Sequence, residues 1–292
     1  MGDDEVMRSI VVGVDESPGA AHALRWAAAE RRWHDCALTA VLCWNYLDQH
    51  QPEPDVPFDP AYGHDAARRT LDAIVERVLG DDAPRVERRT VNDHAARGLL
   101  ESAADADLLV VGARGLSAFR QVVVGSVSRQ CLHHATVPIA IVHEAAGERT
   151  KDRGGVVVGI DGSESSQRAL TWAVEEARRR PAPLTVVHAW TPPYVGGLIA
   201  PTFDGDSFEQ AARAVVDAAV AATDTTGLPA PIERKIVCGA AGPTILEIAA
   251  EASLIVVGSR GRGGFKGLLL GSVSHHVTHH AGCPVVVIPH AE

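Results

Sequence analysis

Two copies of a glycine-rich motif have the residue types of a phosphate-binding loop. Each copy follows the pattern Gly-x2-Gly-x9-Gly-Ser and comes directly after an apolar run. Glycine lets a backbone turn tightly and approach an anion without a Cβ in the way. The last glycine and its serine are expected to open a helix, where free N–H groups and the positive end of the helix dipole favour phosphate. The glycines are Gly112, Gly115 and Gly125 in the first copy and Gly258, Gly261 and Gly271 in the second.

The serine and the arginine of each motif add side chains that could contact a phosphate group. We expect the Ser126 and Ser272 hydroxyls to cap the following helix and to donate to a phosphate oxygen. Arg114 and Arg260 are the expected charge partners of a phosphate tail. The alternative is that the glycines only shape a turn and that the serines are ordinary N-caps. Two copies with the same internal spacing favour the phosphate-binding interpretation.

An aspartate also follows the first apolar run of each copy. Asp15 and Asp161 each precede a segment with the residue types of a helix start. Each aspartate is either an acceptor for a ribose hydroxyl or for Mg²⁺, or an N-cap or loop residue; its presence in both copies favours the first. Neither a G-x4-G-K-[ST] motif nor a G-x-G-x-x-G after a first run occurs, so a Walker-type NTPase and a dinucleotide-binding fold are not supported.

These motifs belong to a chain that contains an internal duplication. Residues 10–17 are echoed by residues 156–163, and the same shift of 146 superposes the glycine motifs. We therefore predict two domains, 1–146 and 147–292, joined by the short polar linker 147–153.

The elements that must position the motifs alternate between short apolar runs and alanine-rich amphipathic segments. Apolar runs without alternation predict strands that are covered on both faces. A β-α-β order with helical crossovers predicts an α/β fold with a doubly wound, five-stranded parallel sheet in each copy, a Rossmann-like arrangement that binds ligands at the carboxyl ends of the strands. In the first copy we predict strands 10–14, 38–44, 86–91, 108–112 and 137–142 and helices 20–32, 65–79, 95–104 and 127–134.

The combined motifs resemble the universal stress protein family in its tandem two-domain form. The resemblance rests on D-x-S after the first strand, on V-V-G-x2-G-x9-G-S-V-S, and on a closing V-P or C-P strand. The glycine pattern marks the members of that family that bind ATP, so the resemblance implies one ATP per domain, with or without Mg²⁺. It also implies that Asp15 and Asp161 lie on the nucleoside side and that the backbone near Cys43 and Ala189 faces adenine.

The resemblance extends to assembly and to the full set of binding residues. It implies that the two domains pair through the last strands, 139–142 and 285–288, and that tandem chains associate into a homodimer. An unidentified regulatory protein is a further expected partner. The predicted binding residues are Gly13, Val14, Asp15, Cys43, Gly112, Arg114, Gly115, Gly125, Ser126, Val127, Gly159, Ile160, Asp161, Ala189, Gly258, Arg260, Gly261, Gly271, Ser272 and Val273.

The two copies differ at one position beside the predicted nucleotide. Glu16 stands where the second copy has Gly162. Because Glu16 adds negative charge near a polyphosphate, we expect the first domain to bind ATP less tightly if the sites differ.

Composition limits the partners and the compartment. The formal net charge of -10 disfavours nucleic acid and anionic membranes as partners. No apolar run is long enough for a membrane helix, and no secretory signal is visible. The five cysteines form no C-x-x-C pattern, which indicates reduced thiols and a cytoplasmic protein.

Two features leave alternatives open. The proline-rich connections 45–63 and 191–206 are too rich in proline for regular structure, and each is either a lid over the ligand or a surface loop. His275 and His279, like His276 and His280, stand four residues apart on a predicted helix, a spacing that can chelate a metal. Because the first copy lacks the matching pairs, we expect solvent-facing or interface histidines and no metal.

The sequence favours a regulatory nucleotide-binding protein over an enzyme. A slow ATPase is the alternative, but no residue beside the glycine motif is an evident water-positioning base. Asp93 and His94 become Gly239 and Ala240 in the second copy. A scaffold with vestigial pockets would have decayed glycine motifs, and both motifs are intact.

Overall fold

Each half of the chain folds around a parallel sheet of five strands. The computed structural model describes residues 7–45, 63–115, 124–143, 154–192, 194–195, 198–199, 204–262 and 270–290. The chain divides into two compact units, 1–150 and 151–292, and the division falls within the predicted linker. Among the described residues, no helix is both long and apolar enough to cross a membrane.

The first domain alternates strands with helices in chain order. Its sheet has the order β3-β2-β1-β4-β5, and all neighbouring strands are parallel. Its elements are β1 (Ser9–Gly13), α1 (Pro18–His34), β2 (Ala37–Trp44), α2 (His64–Leu79), a 3-10 helix (Gly80–Arg85), β3 (Glu87–Asn92), α3 (Ala95–Ser102), β4 (Leu108–Gly112), α4 (Ser126–His134) and β5 (Ile139–Val142).

The second domain repeats this topology and adds a short hairpin. Its main sheet has the order β10-β7-β6-β11-β12, again with parallel neighbours. Its elements are β6 (Val156–Gly159), α5 (Glu164–Arg179), β7 (Leu184–Trp190), β8 (Tyr194–Val195), β9 (Leu198–Ile199), α6 (Gly205–Ala221), β10 (Glu233–Cys238), α7 (Ala241–Ile248), β11 (Leu254–Gly258), α8 (Ser272–His280) and β12 (Val285–Ile288).

The central strands form the core because they are apolar on both faces. Residues 108–111 of β4 and 254–258 of β11 are all buried, as helical crossovers on both faces of a parallel sheet require. The edge strands β3 and β10 are partly exposed. The predicted fold, two tandem Rossmann-like α/β domains with doubly wound five-stranded sheets, is confirmed.

The structure departs from two local predictions, and a third concerns residues that lie mostly outside the described ranges. Strand β5 begins at Ile139 instead of residue 137, because Pro138 has no N–H to donate, although its carbonyl accepts from the Leu109 N–H at 2.9 Å. The connection 191–206 was predicted to lack regular structure, and this is wrong: β8 and β9 form a two-residue antiparallel ladder there. Most of the connection 45–63 lies outside the described residues, as do residues 116–123 and 263–269 of the glycine motifs.

Candidate functional site

The chain order reverses at one point in each sheet, and a cavity lies there. In the first domain this point is between β1 and β4, and in the second it is between β6 and β11. The cavities measure about 410 Å³ and about 460 Å³, within the range of small-molecule sites. All twenty predicted binding residues line them, ten in each domain. The fold therefore brings the predicted residues of each domain together at one place.

In the second domain, Asp161 ties the glycine loop to the first helix. Its Oδ1 accepts from the Ser163 N–H at 3.0 Å, and its Oδ2 accepts from the Arg262 N–H at 2.7 Å. Burial desolvates this carboxyl group and raises its pKa, but the hydrogen bonds from Ser163, Arg262 and Ser166 outweigh burial and hold the pKa below its ordinary value. Asp161 is therefore an ionised brace at the carboxyl end of β6.

Asp15 makes the corresponding contact with the first helix of its own domain. Its Oδ1 accepts from the Ser17 N–H at 2.9 Å. Neither aspartate is the N-cap, because the helices α1 and α5 are capped by the side chains of Ser17 and Ser163. The alternative of an N-cap aspartate is thereby excluded, whereas its role toward a nucleotide stays a prediction.

The first glycine of each motif is required for a different reason from the one expected from the sequence. A Cβ on Gly112 would lie 2.6 Å from the backbone carbonyl carbon of Gly19 in α1, and a Cβ on Gly258 would lie 2.5 Å from the Ser165 Oγ in α5. The missing Cβ therefore makes room for the first helix and not for an anion. This close approach brings the start of the first helix against the end of the strand.

In each helix that follows a glycine motif, the N-cap lies one residue before the serine that was predicted to cap it. Gly125 and Gly271 are the N-caps of α4 and α8, and neither helix start has a side-chain cap. Ser126 and Ser272 are the first helical residues, so the prediction that their hydroxyls cap these helices is wrong. A residue inside the first turn cannot fold back onto the N–H groups that an N-cap side chain reaches. No side chain in the part of the chain that the structure describes caps the first-turn N–H groups.

Sequence reasoning missed a second serine in each motif. The Ser128 and Ser274 side chains are buried, and their hydroxyls donate to the carbonyl oxygens of Gly112 and Gly258, each at 2.6 Å. These bonds tie the start of α4 or α8 to the end of β4 or β11. The signal was present in the sequence, since the serine recurs two residues after the first one in both copies.

We expect Ser274→Ala to destabilise the second domain by about 1 to 3 kcal/mol, because it leaves the buried carbonyl of Gly258 without its donor. Urea unfolding followed by circular dichroism measures the loss. Ser272→Ala is the matched control, since the Ser272 hydroxyl is exposed and caps nothing, and its effect should stay within about 0.5 kcal/mol. Equal destabilisation by the two variants would contradict this assignment.

The arginines supply positive charge to both cavities. Arg114 and Arg260 are half-buried and line their cavities, and the Arg260 Nε is buried without a hydrogen-bond partner among the described residues. Arg129, which the sequence analysis did not single out, also lines the first cavity, where the second domain has His275 at the matching position. Glu16 is exposed and is absent from the described residues that line that cavity. The weaker binding expected of the first domain stays a prediction.

The opposite side of each cavity is apolar. Cys43 lies there beside Val41 and Leu99 in the first domain, and Ala189 lies beside Ile245 in the second. Burial, with a smaller contribution from the charge of Asp93, raises the pKa of the Cys43 thiol to about 12. The thiol therefore stays protonated and acts as a packing group instead of a nucleophile.

Each cavity thus joins an anion-binding end to an apolar end. The anion-binding end combines an uncapped helix start with an arginine, and the apolar end is lined by aliphatic side chains. Such a cavity suits a ligand with a phosphate at one end and an aromatic or aliphatic group at the other.

Comparison with known proteins gives a consistent result over both domains. The model of the "Universal stress protein family" matches residues 7–143 and 154–289. A universal stress protein of Mycolicibacterium smegmatis is 34% identical over 295 residues, covering 96% of this chain and 96% of that protein. One from Mycobacterium tuberculosis is 33% identical over 284 residues, covering 95% of both chains. The crystal structure of a universal stress protein from Archaeoglobus fulgidus covers 97% of this chain and 98% of its own with a TM-score of 0.65 at 21% identity, which supports the fold.

Proposed function

The chain belongs to the universal stress protein family, and from that premise we propose that it is a regulatory protein that binds one ATP molecule in each of its two domains. Its output would be a change in the glycine loops or in a protein-binding surface, with little or no turnover of the nucleotide.

The uncapped starts of α4 and α8 carry this proposal. Helices α1 and α5 begin close to the same cavities, and their first turns are capped by serine side chains. Helices α4 and α8 instead begin at a glycine, so their first-turn N–H groups can be satisfied by an anion in the cavity. The same arrangement in two domains supports phosphate as the common ligand group.

The arginine beside each helix start supports a polyphosphate over a single weak anion. Within the described ranges the buried Arg260 Nε has no hydrogen-bond partner, and a phosphate oxygen in the cavity could accept from it. In the first domain Arg114 and Arg129 both line the cavity. The apolar walls near Cys43 and Ala189 would then hold the adenine ring.

Mg²⁺ would accompany the nucleotide and would not need a site of its own. Both oxygens of Asp161 already accept backbone hydrogen bonds, which leaves this carboxylate with reduced capacity for a metal ion. A divalent ion bound to phosphates keeps most of its waters and needs few protein ligands.

A binding role is also supported by the small number of groups that could activate water. Among the described residues that line the cavities, Asp15 is the one carboxylate in the first domain and Asp161 is the one in the second. Asp161 has a lowered pKa, which makes it a weak base. Slow ATP hydrolysis remains the alternative function.

We further propose that the protein acts in the cytoplasm, as a homodimer of tandem chains that a regulatory protein recognises. No disulfide joins the five cysteines, all of which lie in the described part of the chain, and this supports a reducing compartment.

The central test counts ATP on the untagged full chain. We expect mass spectrometry of the purified protein to detect carried-over ATP and equilibrium dialysis with radiolabelled ATP to reach two molecules per chain. Binding of no nucleotide would contradict the proposal. Sustained multiple turnovers that disappear when Asp15 and Asp161 are both replaced by Asn would favour the ATPase instead.

A further inference from the structure

Four histidines on α8 form two stacked pairs. The ring centroids of His275 and His279 are 4.0 Å apart, and those of His276 and His280 are 4.4 Å apart. His275 and His280 are exposed and His276 and His279 are half-exposed, so solvent reaches all four rings. Residues four apart on a helix share one face, which is the geometry that places two imidazoles on one metal ion.

The tautomer of the later histidine in each pair is fixed by the backbone. The Nδ1 of His279 lies 2.7 Å from the carbonyl oxygen of His275, and the Nδ1 of His280 lies 2.9 Å from that of His276. A carbonyl oxygen only accepts, so each Nδ1 carries the proton and the neutral ring holds its lone pair on Nε2. Metal-binding histidines commonly use this bond to a carbonyl to fix the ring orientation and to raise ligand basicity.

Helix α7 holds one ring of the second pair in place. A Cβ on Gly242 would lie 2.7 Å from Cδ2 of the His276 ring, so the ring packs against a position that has no side chain. Glycine at this helical position costs stability relative to alanine. The first domain has Ala96 and Gln130 at the matching positions. The glycine and the histidine of this contact are therefore both present in the second domain and both absent from the first.

The helix dipole does not account for all four histidines. His279 and His280 lie in the last turn, where the negative end of the helix favours a positive ring. His275 and His276 lie near the opposite end, where that effect is unfavourable. The first domain keeps the two later histidines, His133 and His134, but not their earlier partners.

Against the expectation from the sequence, we infer that each of the two histidine pairs of α8 binds one late first-row divalent metal ion of the zinc, nickel or copper class, with two Nε2 ligands from the pair and water completing the coordination. Nitrogen ligands select these ions over Mg²⁺ and Ca²⁺, which prefer oxygen. The four histidines are not among the described residues that line the two nucleotide cavities.

The test is a calorimetric titration of Zn²⁺ into the untagged, metal-stripped full chain in the presence of excess Mg²⁺. We expect saturable zinc binding that Mg²⁺ does not compete away. Replacing His276 and His280 together by Gln should weaken binding to that pair about 10-fold or more, because even outer-shell partners of a metal site contribute 10- to 100-fold.

The first domain provides the matched control. Replacing His133 and His134 together by Gln removes two histidines from the equivalent helix α4, and zinc binding should not change. Circular dichroism of the metal-free variants checks that both helices remain folded. The inference is overturned if wild-type protein takes up no zinc over Mg²⁺, if the α8 variant binds as wild type does, or if the α4 variant loses as much.

Discussion

Gly261→Ala is expected to remove ATP binding from the second domain while the first domain keeps its site. A Cβ on Gly261 would overlap Oδ2 of Asp161, which accepts the Arg262 N–H. The loop must move away and lose this bond to a charged acceptor, worth about 1.5 to 3 kcal/mol. Returning the loop to its binding position then costs the same amount, which corresponds to roughly 10- to 150-fold weaker binding. Titration should show the stoichiometry falling from two strong sites to one.

Gly115→Ala is the matched variant in the first domain, and we expect a smaller effect. The same Cβ would lie 3.2 Å from Oδ2 of Asp15, so a shift of a few tenths of an ångström relieves the contact. The loss should stay within about 1 kcal/mol, or ~5-fold in Kd. The two variants also measure the affinity of each domain separately. Equal losses would show that the loop contact with the aspartate does not control binding.

Gly19→Ala is expected to destabilise the first domain more than any change on its surface. A Cβ on Gly19 would overlap the carbonyl oxygen of Arg114, and Gly112 already lies against the Gly19 backbone. Both neighbours are backbone atoms and cannot rotate aside, so the helix must separate from the strand end at a cost of about 1 to 3 kcal/mol. The gain in helix propensity, at most ~1 kcal/mol, is too small to offset this. The melting temperature should fall by roughly 2 to 12 °C.

The second domain supplies the control for this prediction. Ser165 occupies the matching position there, and its hydroxyl donates to the carbonyl oxygen of Arg260. Gly19→Ser should therefore recover about 1 kcal/mol relative to Gly19→Ala, the usual net value of a hydrogen bond. Differential scanning calorimetry measures both variants. If alanine is tolerated as well as serine, the close approach of α1 to the loop is not what limits stability.

Periodicity and repetition predicted the architecture of the chain from sequence. The shift of 146 located both glycine motifs, and the unalternating apolar run 108–111 is a central strand covered on both faces. These predictions succeed because a strand that is buried on both faces must be apolar at successive positions, and the sequence shows such a run directly. Glycine spacing located the cavities because both motifs follow such strands.

The roles of individual residues in the site could not be predicted. They depend on the exact residue at which a helix begins, or on which neighbour a residue faces. Whether Ser126 is the N-cap or the first helical residue changes its hydrogen bonds completely, and no pattern in the sequence separates the two. A glycine shows that a Cβ is not tolerated, but not which neighbour excludes it. For Gly112 that neighbour is Gly19, which is distant in sequence. The brace between Asp161 and Arg262 joins residues about a hundred positions apart and has no local signature.

The contact between Gly162 and Arg262 makes these two positions an epistatic pair. Gly162 has a φ of +76°, a Cβ there would contact the Arg262 guanidinium, and Arg262 Nη2 donates to the Gly162 carbonyl oxygen at 3.2 Å. The first copy has Glu16 and Leu116 at these positions. In the second domain, a glutamate at position 162 would need a positive φ and would displace the Arg262 guanidinium. Replacing Gly162 in the second domain therefore requires a change at Arg262 as well.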